Sequence, residues 1–229
     1  MSTPHSYGIT LPNGCTIVHG QGANIKHPFR DIPVEMHELD PGGQRAFSGQ
    51  LGLIEFTTDF RLPRHVHISS SSSSSSSPST SIEADTRPAT TQTQKFIAER
   101  IVVLNGVALV ELNGTIYVIP PKTLVTIAPG VPHTWTACPA GVSVPVAGGA
   151  AAAAAAAPAA QVYSDGTFLM LYEYEEPTAF FPTRQTRTLG SVDEYERCDD
   201  LEAIRIPRLS ADEVTRRCSF VCDRTLSSP

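Results

Sequence analysis

The sequence predicts an all-β core of the sandwich, barrel or jelly-roll type, and three observations carry that prediction. Segments rich in β-branched and aromatic residues with partial apolar alternation recur at 47–60, from Phe96 to Cys138 and at 167–174, as strands on half-buried sheets require. Two such runs flank Asn113-Gly114, a dipeptide suited to the left-handed backbone of a tight hairpin. Helix signals are confined to the tail, so the strand-helix alternation of a parallel α/β fold is missing.

Residues 1–46 read as an N-terminal arm with strands, and residues 47–178 as the barrel. FSGQLGLIEFTTDF at 47–60 supplies the first barrel strand, and His65-Val66-His67 follows at the end of a strand-like stretch. Residues 69–94 then change character, opening with an unbroken serine run to Ser77 and continuing in Ser, Thr and Pro. Such a segment has little to bury and reads as a disordered loop. KFIAERIVVLNG ends at Gly106, the hairpin about Asn113-Gly114 comes next, and the turn Ala128-Pro129-Gly130-Val131-Pro132 leads into the strand HTWTAC. Residues 141–160 carry alanines from Ala150 to Ala157 between Gly148-Gly149 and Pro158, and read as a surface loop that is helical in part. Both segments fall between strands, where each doubling of loop length costs only about 0.6 kcal/mol. TFLMLYEY at 167–174 completes the barrel, and residues 179–229 form a C-terminal arm in which Ser210 caps a short helix through Arg217.

A length of 229 residues suits one domain with one core. The formal charge of -6 and the lack of a basic cluster argue against nucleic acid or an anionic membrane as partner. No apolar run approaches the roughly 20 residues of a membrane helix, and MSTPHSYGITLPNG lacks the pattern of a signal peptide, so a cytoplasmic location is expected. The five cysteines, Cys15, Cys138, Cys198, Cys218 and Cys222, show no CxxC spacing and read as free thiols.

The residues that bear chemistry are few. In a strand His65 and His67 point to the same face, so both imidazoles can reach one point, although two exposed histidines fit the same spacing. Glu99 shares a strand face with Ile97, Ile101 and Val103, where a carboxylate needs a partner such as an arginine. His133, alone, fits a buried histidine bonded to backbone. Their order is more telling: HxH, then a glutamate seven residues before Gly106, then a Pro-Gly-x-x-His turn entering a strand.

In that order the chain resembles the cupin superfamily. His65, His67, Glu99 and Gly106 match the first family motif once residues 69–94 are set aside, and Pro129, Gly130 and His133 match the core of the second. Asp59 replaces a family glycine, Lys122-Thr123 replaces another, and Ala137 replaces the terminal asparagine; none of these is a ligand position. The resemblance implies a double-stranded β-helix, a jelly-roll barrel with a short C-terminal helix, in which His65, His67, Glu99 and His133 bind one divalent metal ion. IAERIVVLNG and YEYEEPTAFFPT are also similar to small fungal single-domain cupins of secondary metabolism, some of them regarded as oxidoreductases for salicyl-type alcohols and aldehydes.

Three imidazoles and a carboxylate suit Fe(II), which is favoured here, and also Mn(II), Zn(II), Ni(II) or Cu(II). Octahedral coordination would leave two positions for a small-molecule substrate and dioxygen. The leading expectation is therefore a metal-dependent oxidoreductase, of oxidase or dioxygenase type, for a small aromatic or polyketide-derived metabolite. Redox-neutral isomerase, dehydratase or cyclase chemistry, with Glu99 or a nearby tyrosine as base, is the alternative, and a non-catalytic small-molecule-binding barrel is a third. Trp135, on the same strand face as His133, is expected with Ile97 and Ile101 to line the substrate pocket. A homodimer is the fold-level expectation.

Overall fold

The computed structural model describes residues 8–20, 23–26, 36–40, 47, 49–69, 94–145, 161–222 and 225–227. In chain order the strands are β1 (Ile9–Thr10), β2 (Thr16–His19), β3 (Asn24–Lys26), β4 (Met36–Glu38), β5 (Leu51–Thr57), β6 (His65–Ser69), β7 (Glu99–Gly106), β8 (Ala108–Leu112) and β9 (Thr115–Ile119). They continue with β10 (Thr123–Ile127), β11 (His133–Ala137), β12 (Ser143–Pro145), β13 (Gln161–Tyr163), β14 (Thr167–Tyr174), β15 (Thr178–Pro182), β16 (Ser219–Cys222) and β17 (Thr225–Ser227). Among the described residues an α-helix, α1 (Ala211–Arg217), precedes β16.

A six-stranded sheet runs in the order β1-β2-β10-β7-β14-β5, and a seven-stranded sheet in the order β15-β6-β11-β8-β9-β16-β17. From β5 to β8 and from β9 to β11 the chain alternates between the two sheets, and their apolar inner faces meet in one core that includes Ile17, Phe56, Ile101, Val125, Trp135 and Phe168. This is an all-β jelly roll, the architecture that the cupin resemblance implies. No helix among the described residues is long and apolar enough to cross a membrane.

Local chemistry accounts for the elements that place the site. Asn113 and Gly114 have φ of 50° and 80°, the left-handed pair of a tight turn, and set the register Leu112↔Thr115 between β8 and β9. Gly130 has φ of 75°, and a Cβ there would lie 2.1 Å from the Leu189 carbonyl oxygen, so only glycine fits the turn that delivers β11. At the tail, Ser210 Oγ accepts from the Glu213 N–H while the Glu213 carboxylate accepts from the Ser210 N–H, a reciprocal cap that starts α1. Val214 then packs on the outside of the seven-stranded sheet with Leu109, Val118 and Cys138.

The histidine pair opens β6 instead of ending a strand as the sequence suggested. Pro63 explains the boundary, because a proline has no N–H for the ladder, and regular pairing begins two residues later. Arg64 anchors this start: its N–H donates to the Ile204 carbonyl at 2.8 Å, and its Nε donates to Glu111 Oε1 at 2.6 Å.

The two low-complexity segments, with their expected loop and part-helix, lie outside the described residues over 70–93 and 146–160. Their ends do not. The Ser69 N–H donates to the Lys95 carbonyl at 2.9 Å, the Lys95 N–H to Ser69 Oγ at 3.1 Å, and the Ile97 N–H to the His67 carbonyl at 3.1 Å. The chain thus leaves β6 and resumes beside it. Likewise β12 and β13 pair across the second segment, with Val144 opposite Val162. Cys15, Cys138, Cys198 and Cys218 are free and buried.

Candidate metal centre

Both sheets contribute to one buried cluster. His65 and His67 stand on β6, and His133 stands on the neighbouring β11 as the direct register partner of His65. Glu99 begins β7 in the opposite sheet and reaches them across the barrel. The ligand atoms of the three histidines all lie within 4.8 Å of one another, and the group can hold a metal ion. Glu99 Oε2 is 3.0 Å from His133 Nε2 and 3.5 Å from His67 Nε2. All four side chains are buried, none more than 3 % exposed. Neighbouring Arg100 turns the other way, to Asp40 and Glu173, so the partners of Glu99 are imidazoles and not an arginine.

The backbone decides which ring nitrogens face inward. His65 Nδ1 is 2.8 Å from the Pro63 carbonyl, His67 Nδ1 is 3.1 Å from the Ala179 carbonyl, and His133 Nδ1 is 2.9 Å from the Val131 carbonyl. A carbonyl only accepts, so each Nδ1 carries a proton and donates it. In the neutral ring Nε2 is then a lone pair. His67 Nε2, His133 Nε2 and Glu99 Oε2 are buried without a hydrogen-bond partner. Burying three acceptors against one another is costly, and a cation among them removes the cost.

The electrostatics agree. Burial lowers the His65 pKa well below its ordinary value of 6.5, and any positive charge at His133 or His67 would lower it further, so His65 stays a neutral donor of its lone pair. Burial alone would raise the Glu99 carboxyl; positive charge at His67 and His133 would outweigh it and hold the group well below the usual carboxylate range, and a cation among the neutral rings supplies charge of that sign. Tyr174 is the register partner of Glu99, and its ring centroid lies 4.5 Å from that of His67. Burial and the Glu99 charge push its phenol well above the ordinary value, so it remains protonated.

Of the residues expected to line a substrate pocket, Trp135 and Ile101 are packed in the core, Trp135 1 % exposed with its ring 6.2 Å from Phe168 and its Nε1 without a partner. Ile97 is buried beside His67, bonded to it through the backbone. A cavity of about 290 Å³ lies elsewhere, on the outer face of the seven-stranded sheet among Arg61, Leu109, Thr136, Pro207 and Leu209. Two rings that touch the histidines escaped the sequence reading: Tyr174 and Phe180. Both lie in YEYEEPTAFFPT, and only the registers Tyr174↔Glu99 and Phe180↔His67 reveal which aromatics of that stretch turn inward.

Fold and site together define a double-sheeted β jelly roll that encloses a cluster of three histidines and one glutamate. No family model and no curated protein matches the chain. Among solved structures it is similar to a dTDP sugar isomerase from Desulfovibrio desulfuricans G20, with 15 % identity over 85 % of this chain and 90 % of that one and a TM-score of 0.37. A likeness of that size bears on neither substrate nor reaction.

Proposed function

We propose that the protein is a metal-dependent enzyme of oxidoreductase type that acts on a small aromatic or polyketide-derived metabolite. The observation that carries this reading is the convergence of buried, unpartnered acceptors: His67 Nε2, His133 Nε2 and Glu99 Oε2, with His65 beside them. The residues fit a divalent ion because all offer lone pairs, the histidine tautomers are held by backbone carbonyls, and the carboxylate is ionised. A bound Fe(II), the ion favoured for three imidazoles and one carboxylate, would supply one-electron and dioxygen chemistry, and Mn(II), Zn(II), Ni(II) or Cu(II) fit the same donors.

The chain's own residues do the rest. His65, His67 and His133 orient the site through their Nδ1 bonds, and Glu99 offsets positive charge within it. The surrounding core, with Trp135 and Ile101 buried, keeps water away. Phe180, with its ring centroid 4.5 Å from that of His65, offers an aromatic surface that favours a planar substrate.

A redox-neutral isomerase, dehydratase or cyclase is the second reading, favoured by one observation. Tyr174 places a protonated phenol against Glu99, a pairing of acid and base that proton transfer can use without oxidation. Anaerobic purification with elemental analysis, followed by oxygen-uptake assays with salicyl-type alcohols, separates the two. Stoichiometric iron or copper with oxygen uptake supports the oxidoreductase; zinc without uptake supports the redox-neutral enzyme. Absence of any stoichiometric metal after loading overturns both.

A further inference from the structure

We infer that Phe180 is the gate of this site: ions and small ligands reach His65 and His67 by displacing its ring. The inference deepens the metal-site reading and takes its purpose from it. Phe180 lies in β15, the edge strand of the seven-stranded sheet, whose one neighbour in the sheet is β6. Its register partner is His67, so its ring falls on the inner side of the sheet, with the histidines. There it meets His65 edge to face at 4.5 Å and 65°, and His67 at 5.5 Å and 61°.

Its exposure sets it apart. Phe180 is 45 % exposed, whereas His65 and His67 are 1 % and 2 % exposed. The other aromatic ring against the histidines, Tyr174, is 4 % exposed, so among the described aromatics solvent meets the cluster at Phe180. Behind the histidines the barrel is closed by Trp135 and Ile101, at 1 % and 0 % exposure. The same strand also holds His67 through the Ala179 carbonyl, so a swing of the Phe180 side chain opens the path while the backbone keeps the ligand orientation. A half-exposed phenyl turns on two torsions within nanoseconds, fast enough to serve as a side-chain door.

The test uses the full chain, metal-free, as wild type, Phe180→Ala and Phe180→Trp. Co(II) alone is mixed with each protein, and its uptake and its removal by a chelator are followed spectroscopically. Phe180→Ala is expected to raise both rates by about tenfold and leave their ratio, the affinity, unchanged; Phe180→Trp is expected to lower both. In parallel, carbethoxylation of His65 and His67 in the metal-free protein, read by peptide mass mapping, is expected to quicken in Phe180→Ala. Unchanged uptake and labelling rates would overturn the gate, and so would a changed affinity with an unchanged uptake rate. If the alanine variant does not fold, Phe180→Leu against Phe180→Trp gives the same comparison. Failure of the wild type to take up Co(II) overturns the metal reading alone, because carbethoxylation reads the gate without metal.

Discussion

His65 and His133 are direct partners across β6 and β11, and the Nδ1 of each is held by a carbonyl two residues earlier in its own chain, Pro63 and Val131. Each histidine is thereby fixed by the loop that delivers it. The strand pairing sets the separation of the rings, and the local backbone sets their tautomers. Neither depends on a bound ion, so the site is organised in advance of binding.

Removing one lone pair should therefore abolish binding without unfolding the barrel. His65→Ala and His133→Ala are expected to lose at least about a hundredfold in Co(II) affinity, beyond the loss typical of an outer-shell partner. Glu99→Gln should lose affinity as well, yet raise the melting temperature of the metal-free protein. An amide N–H can donate to the lone pair of His133 Nε2, replacing two opposed acceptors with a hydrogen bond worth about 1 kcal/mol. Calorimetry with and without metal reads the two opposite signs, and a destabilised metal-free variant would contradict the tautomer assignment.

Alkali should weaken the fold through its buried thiols. Burial pushes Cys15 and Cys218 from 9.0 up to about 11, and Cys138 up to about 12. Above pH 9 the unfolded chain loses thiol protons that the folded chain keeps, so this stabilisation is complete below pH 9 and is lost as pH rises toward 11 to 12. For Cys15 alone the loss is on the order of 3 kcal/mol. Urea midpoints between pH 8 and 11 should fall, and the fall should be shallower in Cys15→Ala.

Gly130→Ala should be severe. At φ of 75° with the Leu189 carbonyl oxygen 2.1 Å from the new Cβ, both the turn and its bond to the C-terminal arm must move. A loss of about 3 kcal/mol or more is expected from backbone strain and clash together. The fraction of folded protein that binds Co(II) should drop too, because His133 follows three residues later. A denaturation midpoint within error of the wild type would refute the turn geometry.

Residues 70–93 should be dispensable for the metal site. Ser69 and Lys95 are already joined by two backbone-directed hydrogen bonds, so a short Asn-Gly turn in place of the segment closes the same ladder. The shortened protein is expected to keep its Co(II) affinity within about twofold, because the ligands and their Nδ1 carbonyls lie outside the segment. A loss of binding would show that the segment contributes to the site.

Much of this was legible in the residues. The hairpin at Asn113-Gly114, the capping box at Ser210 and the turn at Gly130 each rest on local backbone chemistry, and each stands where the sequence put it. His65 and His67 were expected on one face from strand period alone. What stayed hidden depends on pairing between distant strands. YEYEEPTAFFPT offers four aromatic rings, and nothing within it distinguishes Tyr174 and Phe180 from their neighbours. The registers with β7 and β6 do so, because a slip of one residue would turn every ring to the other face. Trp135 shares a strand face with His133 as expected, but the depth of the barrel carries it into the core beside Phe168.

The sequence by itself determined the all-β class, the hairpin and the C-terminal helix, because these follow from strand period, turn chemistry and spacing within short windows, while the set of four residues worth watching came from the order of motifs that the cupin resemblance supplies. Only the tertiary structure decided that Glu99 returns to the histidines, that each Nδ1 finds a carbonyl and that Phe180 covers the cluster. Those facts join residues up to 112 positions apart, as in the bond between His67 and Ala179. Contacts at that range are set by how two sheets close on a shared core, where burial and strand register act together, and no local signal in the chain encodes them.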